Sequence, residues 1–121
     1  MNDRILVVDD QQSVRATMED ALVESGYSVR TAESAEEALK LFIEGFDVSL
    51  IISDYRMPEG MNGFEFWKRL KQLSVEVPFI LMTGDLTPEL QEQTMAAGIP
   101  TLIKPVSERD LLRMVDLLLN R

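Results

Sequence analysis

The sequence predicts an α/β fold, a doubly wound (βα)5 domain with a parallel sheet in the order 2-1-3-4-5. Three observations predict it. Short apolar runs that suit strands buried on both faces alternate with longer stretches of helical periodicity, strand first and five of each. The connections between them are short, and alternation of this kind argues for a parallel sheet covered by helices on both faces. Right-handed crossovers leave few arrangements, and at 121 residues the flavodoxin-like order is the natural one. The chain has the length of one domain, assigned to residues 1–121, and it shows no internal repeat, linker or low-complexity segment.

The elements follow in order. Residues 5–8 read as a buried strand ended by Asp9-Asp10. Val14, Met18, Ala21 and Leu22 then fall at helical spacing, with Asp10 or Ser13 as the expected cap and Gly26 as the stop. Residues 27–31 alternate weakly as a second strand. Ser34 and Glu37 have the spacing of a capping box, and Ala38, Leu41 and Phe42 form the apolar face of a helix that Gly45 ends. Residues 48–52 form the central strand, with three adjacent large apolar residues. It leads into Ser53-Asp54, and Pro58 forbids regular continuation. Asp54 is therefore expected at the carboxyl end of a buried strand, where open α/β sheets place their ligand crevice.

A third helix over 62–73 carries Phe66, Leu70 and Leu73 on one face, with Phe64 and Trp67 at its margin. Residues 79–82 form a fourth strand, opened by Pro78 and ended at Thr83-Gly84-Asp85. Thr87-Pro88 starts a helix that runs to Gly98. A short fifth strand over 101–103 ends at Lys104-Pro105. Ser107 caps the last helix, whose face is Leu111, Leu112, Val115, Leu118 and Leu119.

Composition excludes several kinds of chemistry. Without cysteine there is no disulfide, thiol nucleophile or thiolate metal site. Without histidine there is no Ser-His-Asp triad, imidazole base or His-ligated zinc. A net charge of −9 argues against direct nucleic-acid binding by this segment and favours partners with basic patches. The first apolar run is too short for a signal peptide and nothing approaches a membrane span, so a cytoplasmic location is expected.

Strands one, three, four and five thus end in Asp9-Asp10, Asp54, Thr83 and Lys104, and a parallel sheet brings those ends to one rim. Each residue alone is ordinary at a strand end. Three acids, a hydroxyl and an amine on one rim are not. Clustered carboxylates repel and ask for a cation, and an all-oxygen set suits Mg²⁺, which bridges carboxylate to phosphate. Asp54 is then placed to attack phosphorus and form an acyl phosphate. Lys104 offers a point charge to one phosphoryl oxygen, Thr83 a hydroxyl to another, and Gly84 space and a backbone N–H.

These elements resemble the receiver domain of bacterial two-component response regulators over essentially the whole chain. The matching residues are Val7-Val8-Asp9-Asp10, Asp54 with Met57-Pro58 and Gly63, Thr83-Gly84, Ala97-Gly98 and Lys104-Pro105. The resemblance implies a switch. A phosphohistidine of a sensor histidine kinase or phosphotransfer protein would donate its phosphoryl group to Asp54. Mg²⁺ would be held by Asp10, Asp54 and the backbone carbonyl of Arg56, with Asp9 acting through water. Thr83 and Lys104 would hold phosphoryl oxygens, and the face of the fourth helix, fifth strand and fifth helix would change. That face would meet a downstream effector or form a homodimer. Arg56 and Asp85, with opposite charges at the mouth of the site, would tune the phosphoryl lifetime and pair across the opening. The chain would be no enzyme beyond catalysing its own phosphorylation and dephosphorylation.

Three departures stand out. The loop 59–62 is one residue longer than the common form, and the approach to the fifth strand over 98–101 is one shorter. Thr101 stands where the family usually has the Tyr or Phe that swings inward. Other readings fit less well. A haloacid-dehalogenase-type phosphatase uses a second Asp where this chain has Arg56, and a flavodoxin needs a Ser/Thr/Gly phosphate loop after the first strand. An unphosphorylated pseudo-receiver would be expected to lack part of the acid, Thr and Lys set.

Overall fold

A computed structural model describes residues 3–120; Met1, Asn2 and Arg121 of the expected domain lie outside the described residues. Five strands, β1 (Arg4–Val8), β2 (Ser28–Ala32), β3 (Leu50–Asp54), β4 (Phe79–Thr83) and β5 (Thr101–Ile103), form one sheet in the order β2-β1-β3-β4-β5. All four pairings are parallel. The helices α1 (Gln12–Glu24), α2 (Ala35–Ile43), α3 (Gly63–Gln72), α4 (Pro88–Ala97) and α5 (Glu108–Leu118) supply the crossovers.

Strand residues alternate between two cores, as side chains on a pleat must. Ile5, Val7, Leu50, Ile52, Ile80 and Met82 pack with Met18 and Leu22 of α1 and Leu111 and Val115 of α5. Leu6, Val8, Ile51 and Leu81 point the other way, into a core with Ala38 and Leu39 of α2, Phe66 and Leu70 of α3, and Leu90 of α4. Every residue of β3 and β4 is buried. That is why both read as continuous apolar runs rather than as alternating ones.

Several local expectations need correction. The central strand is displaced by two residues from 48–52. Val48 is buried but lies before the ladder, whereas Ser53 and Asp54 pair with Val8 and Met82. Apolarity marked burial, and the hydrogen-bonded register runs past it into the polar residues. Neither Asp10 nor Ser13 caps α1: the N-cap is Gln11, without a side-chain bond, and its N–H goes to Asp9 Oδ1 at 2.9 Å. At α2 only half of the expected capping box forms, Ser34 accepting from the Glu37 N–H. The complete box is at α3, where Asn62 and Glu65 bond each other's backbone. The buried stripe of α2 is Ala35, Ala38 and Leu39, which leaves Leu41 and Phe42 half-buried at its margin. Leu73 is 42% exposed because α3 ends at Gln72 and Leu73 is its C-cap. On α5, Leu111 and Val115 are buried, while Leu112, Leu118 and Leu119 are half-buried.

Candidate functional site

The carboxyl ends of β1, β3, β4 and β5 converge on one cleft of about 450 Å³, lined by Asp10, Asp54, Thr83 and Lys104 with Arg56 and Asp85 at its sides. Asp54 is the last residue of the central strand and is only 6% exposed. Asp9 is fully buried at the end of β1, and Asp10, one residue on, is exposed to the cleft. Carboxylate oxygens of Asp9, Asp10 and Asp54 all lie within 4.8 Å of one another. Pleating explains the division of labour: consecutive acids after a strand cannot both point into the core.

Lys104 reaches back from the end of β5 and bridges two of the acids, its Nζ 3.0 Å from Asp9 Oδ2 and 3.2 Å from Asp54 Oδ2. The peptide that follows it, Lys104-Pro105, is cis. Each Asp9 oxygen thereby has a partner, Oδ1 the Gln11 N–H and Oδ2 Lys104. Asp10 has no hydrogen bond or ion pair among the described residues. The donor set fits a hard divalent cation: all ligating atoms are oxygen, and Asp10 and Asp54 offer carboxylate to the cleft while Asp9 is already engaged.

Electrostatics follow from the crowding. Burial, then the charge of Asp9, pushes the Asp54 carboxyl above the usual aspartate range. Lys104 offsets part of this and Asp10 adds to it. For Lys104 burial works downward, but its bond to Asp9 and the charges of Asp54 and Asp9 outweigh it, so the ammonium is held above the usual lysine range. The two directions are compatible: Lys104 is paired with two acids, whereas Asp54 faces two other carboxylates and one cation.

Thr83 ends β4, buried, at the edge of the same cleft. Its hydroxyl is engaged locally: it accepts from the Asp85 N–H at 3.1 Å and faces the Asp85 carbonyl at 3.2 Å. Gly84 lines the cleft, exposed, with open space around its Cα. Arg56 and Asp85 are both exposed, and among the described residues no ion pair joins them, contrary to the expected pairing across the mouth. Both side chains remain solvated, where an exposed pair would gain little. Thr101 starts β5 opposite Leu81, half-buried, with its hydroxyl on the Ile99 carbonyl at 3.2 Å, and does not line the cleft.

Two contacts had not been foreseen from the sequence. Arg15 of α1 donates to the Asp9 carbonyl at 2.7 Å and so fixes the turn that carries the acid pair. Glu36 of α2 accepts from the Met61 N–H at 2.8 Å and so holds the loop after β3. A helix that begins at once after the acid pair brings its second turn close to that pair, which is a usable signal for Arg15. Glu36 has none, since its target lies 25 residues away on a loop.

The response regulator receiver domain family model matches residues 5–116. The chain belongs to this family. Two-component response regulator ORR3 of rice is 35% identical over 115 residues, covering 93% of this chain and 87% of ORR3. Response regulator SaeR of Staphylococcus aureus is 30% identical over 97% of this chain, which spans half of SaeR's length. Among solved receiver structures, chemotaxis protein CheY4 of Vibrio cholerae superposes with a TM-score of 0.85 at 34% identity, covering 98% of this chain and 99% of CheY4. A CheY-like receiver domain from Methanospirillum hungatei gives 0.90 at 30% identity, covering 99% of this chain and 95% of its own. This chain thus shares the receiver fold with these solved structures.

Proposed function

We propose that this receiver domain is a phosphoacceptor that takes a phosphoryl group onto Asp54 from the phosphohistidine of a sensor histidine kinase or phosphotransfer protein. The observation that carries the reading is the convergence of Asp9, Asp10, Asp54 and Lys104 at the end of the central strand, with the Thr83 hydroxyl at the edge of the same cleft. An Asp54 carboxylate oxygen attacks phosphorus, the phosphorus–nitrogen bond of the donor breaks, and its electron pair stays on the donor imidazole. Asp10, Asp54 and the Arg56 carbonyl are the groups that would hold Mg²⁺, with Asp9 acting through water. When bound, the ion neutralises charge shared between the carboxylates and the phosphoryl oxygens.

Lys104 then exchanges one carboxylate for a phosphoryl oxygen, and the Gly84 N–H and Thr83 hydroxyl serve the others. For that the Thr83 hydroxyl must leave the Asp85 backbone. The Asp85 carbonyl also accepts from the Thr87 N–H at 3.2 Å, and Thr87 is the N-cap of α4. Release of Thr83 therefore loosens the loop into α4 without help from an aromatic at position 101. The signal leaves through α4, β5 and α5, where Met95, Ile103 and Leu117 are 72%, 57% and 70% exposed. An effector domain or protein, or a second copy of the chain, reads it there. A cytoplasmic location accords with this role, and among the described residues no helix is long and apolar enough to cross a membrane.

The test is incubation with Mg²⁺ and acetyl phosphate. One hydroxylamine-labile phosphoryl group is expected on the unsubstituted chain and none on Asp54→Asn. Equal labelling of that variant by mass spectrometry would overturn the assignment. An unsubstituted chain that takes no label would revive the pseudo-receiver.

A further inference from the structure

The loop between β3 and α3 covers residues 55–62, and a loop of that length is loose unless something holds it. Its far end is fixed by the Asn62–Glu65 capping box. Its middle is held from another element altogether. The Glu36 carboxylate, in the first turn of α2, accepts from the Met61 N–H at 2.8 Å. Gly60 beside it has φ +115, and a Cβ there would stand 2.8 Å from Glu36 Cδ. The backbone angle favours glycine here, and the absence of a Cβ lets the Glu36 carboxylate pack against the loop. The near end of this loop is Arg56, which supplies the backbone carbonyl of the proposed metal set. The space between α2 and the loop opens directly beside Asp10.

We propose that Glu36 is a positioning residue for the divalent cation: its clasp on Met61 holds the loop so that the Arg56 carbonyl stays in register with Asp10 and Asp54. This rests on the reading of the cleft as a Mg²⁺ site. Glu36 does not ligate the ion. It acts through the backbone, as an outer group that orients a ligand.

Variants separate the clasp from the charge. Glu36→Gln keeps an oxygen for the Met61 N–H and loses the charge; Glu36→Ala loses both. Mg²⁺ affinity is measured by calorimetric titration of the unphosphorylated chain, and protection of the Met61 amide by hydrogen exchange without metal. Glu36→Ala should weaken Mg²⁺ binding about three- to tenfold, the size of effect that one hydrogen bond carries, and should deprotect Met61. Glu36→Gln should restore most of both. Gly60→Ala should behave like Glu36→Ala. Equal weakening by Glu36→Gln and Glu36→Ala would assign the effect to charge and overturn the clasp. So would Mg²⁺ affinity unchanged in Glu36→Ala while Met61 loses protection. If the unsubstituted chain binds no Mg²⁺ although its Met61 amide is protected, the metal reading fails and the role of Glu36 falls with it.

Discussion

Near the amino-terminal rim of the sheet, Arg4 and Arg30 both lie over the Phe46 ring, 4.8 and 5.2 Å from its centroid, and Arg4 also donates to the Asp47 carbonyl. At the carboxyl rim three acids cluster, and Lys104 pairs with the two that are buried, Asp9 and Asp54. Both regions hold like charges close together. They differ in what compensates them. The arginines are exposed, so water screens them and the ring only adds a preference. Asp9 and Asp54 have given up water, and a single ammonium replaces it. One region relies on water, while the other relies on a single buried-pair cation.

The contrast is broken most directly by removing one cation from each rim. Lys104→Ala leaves buried Asp9 with only the Gln11 N–H and exposes Asp54 to unopposed repulsion. Loss of one partner from a fully buried pair costs about 3–5 kcal/mol. Lys104 keeps some solvent access, so about 2–3 kcal/mol is expected. Arg30→Ala should cost less than about 1 kcal/mol. Urea unfolding of the two variants checks this, and equal losses would mean that the carboxyl rim is not the strained one. Lys104→Ala should also slow phosphorylation by acetyl phosphate roughly 100-fold, as loss of a preorganised donor does.

A smaller effect sharpens the same point through pH. The Asp54 carboxyl is raised, so its folded form prefers the proton. The stability this contributes is full below the ordinary aspartate range and is lost as pH rises through the raised value. Lys104 is also raised, so its contribution is intact at neutral pH and is lost only above the ordinary lysine range. Above the ordinary aspartate range and below the ordinary lysine range the Asp54 loss therefore stands alone among these two. The stability of Asp54→Asn relative to the unsubstituted chain should grow across that window, measured by denaturant midpoints at each pH. Mg²⁺ should narrow the gap, stabilising the unsubstituted chain by about 1.4 kcal/mol at ten times its Kd. A pH-independent difference, insensitive to Mg²⁺, would place the charge stress elsewhere.

The fold was readable because β3 and β4 each open on an unbroken apolar run and the helices between strands carry the other period. The site was readable because topology alone gathers strand ends: Asp9, Asp54, Thr83 and Lys104 needed no side-chain detail to be put on one rim. What escaped was whatever depends on direction rather than on position. The Thr83 hydroxyl turns to the Asp85 backbone, the Asp9 oxygens are both taken, and Arg15 points back at a carbonyl. Rotamers and loop closures decide these, and periodicity carries no information about either. The capping boxes make the same distinction. Ser34 and Glu37 had the signature, yet the reciprocal bond forms between Asn62 and Glu65.

The finest effect concerns the mouth of the cleft. Arg56 and Asp85 were expected to pair across it, and they do not, although both line it. Arg56 alone carries a charge that suits a phosphoryl oxygen. A charge-assisted bond is worth about 1.5–3 kcal/mol when sheltered, and its exposure here argues for the low end. Arg56→Ala should therefore shorten the lifetime of phosphorylated Asp54 about tenfold. Asp85 acts on Thr83 through its backbone, which Asp85→Ala preserves, so decay should stay within about twofold. Without a pair the two effects should multiply, with a coupling below about 0.5 kcal/mol in the double variant. Decay of the radiolabelled protein in the two single variants and the double one measures this. Coupling well above that limit would mean that the phosphoryl group itself draws Arg56 and Asp85 together. Unchanged decay in all three would remove both residues from control of the lifetime, leaving it to the buried groups beneath them.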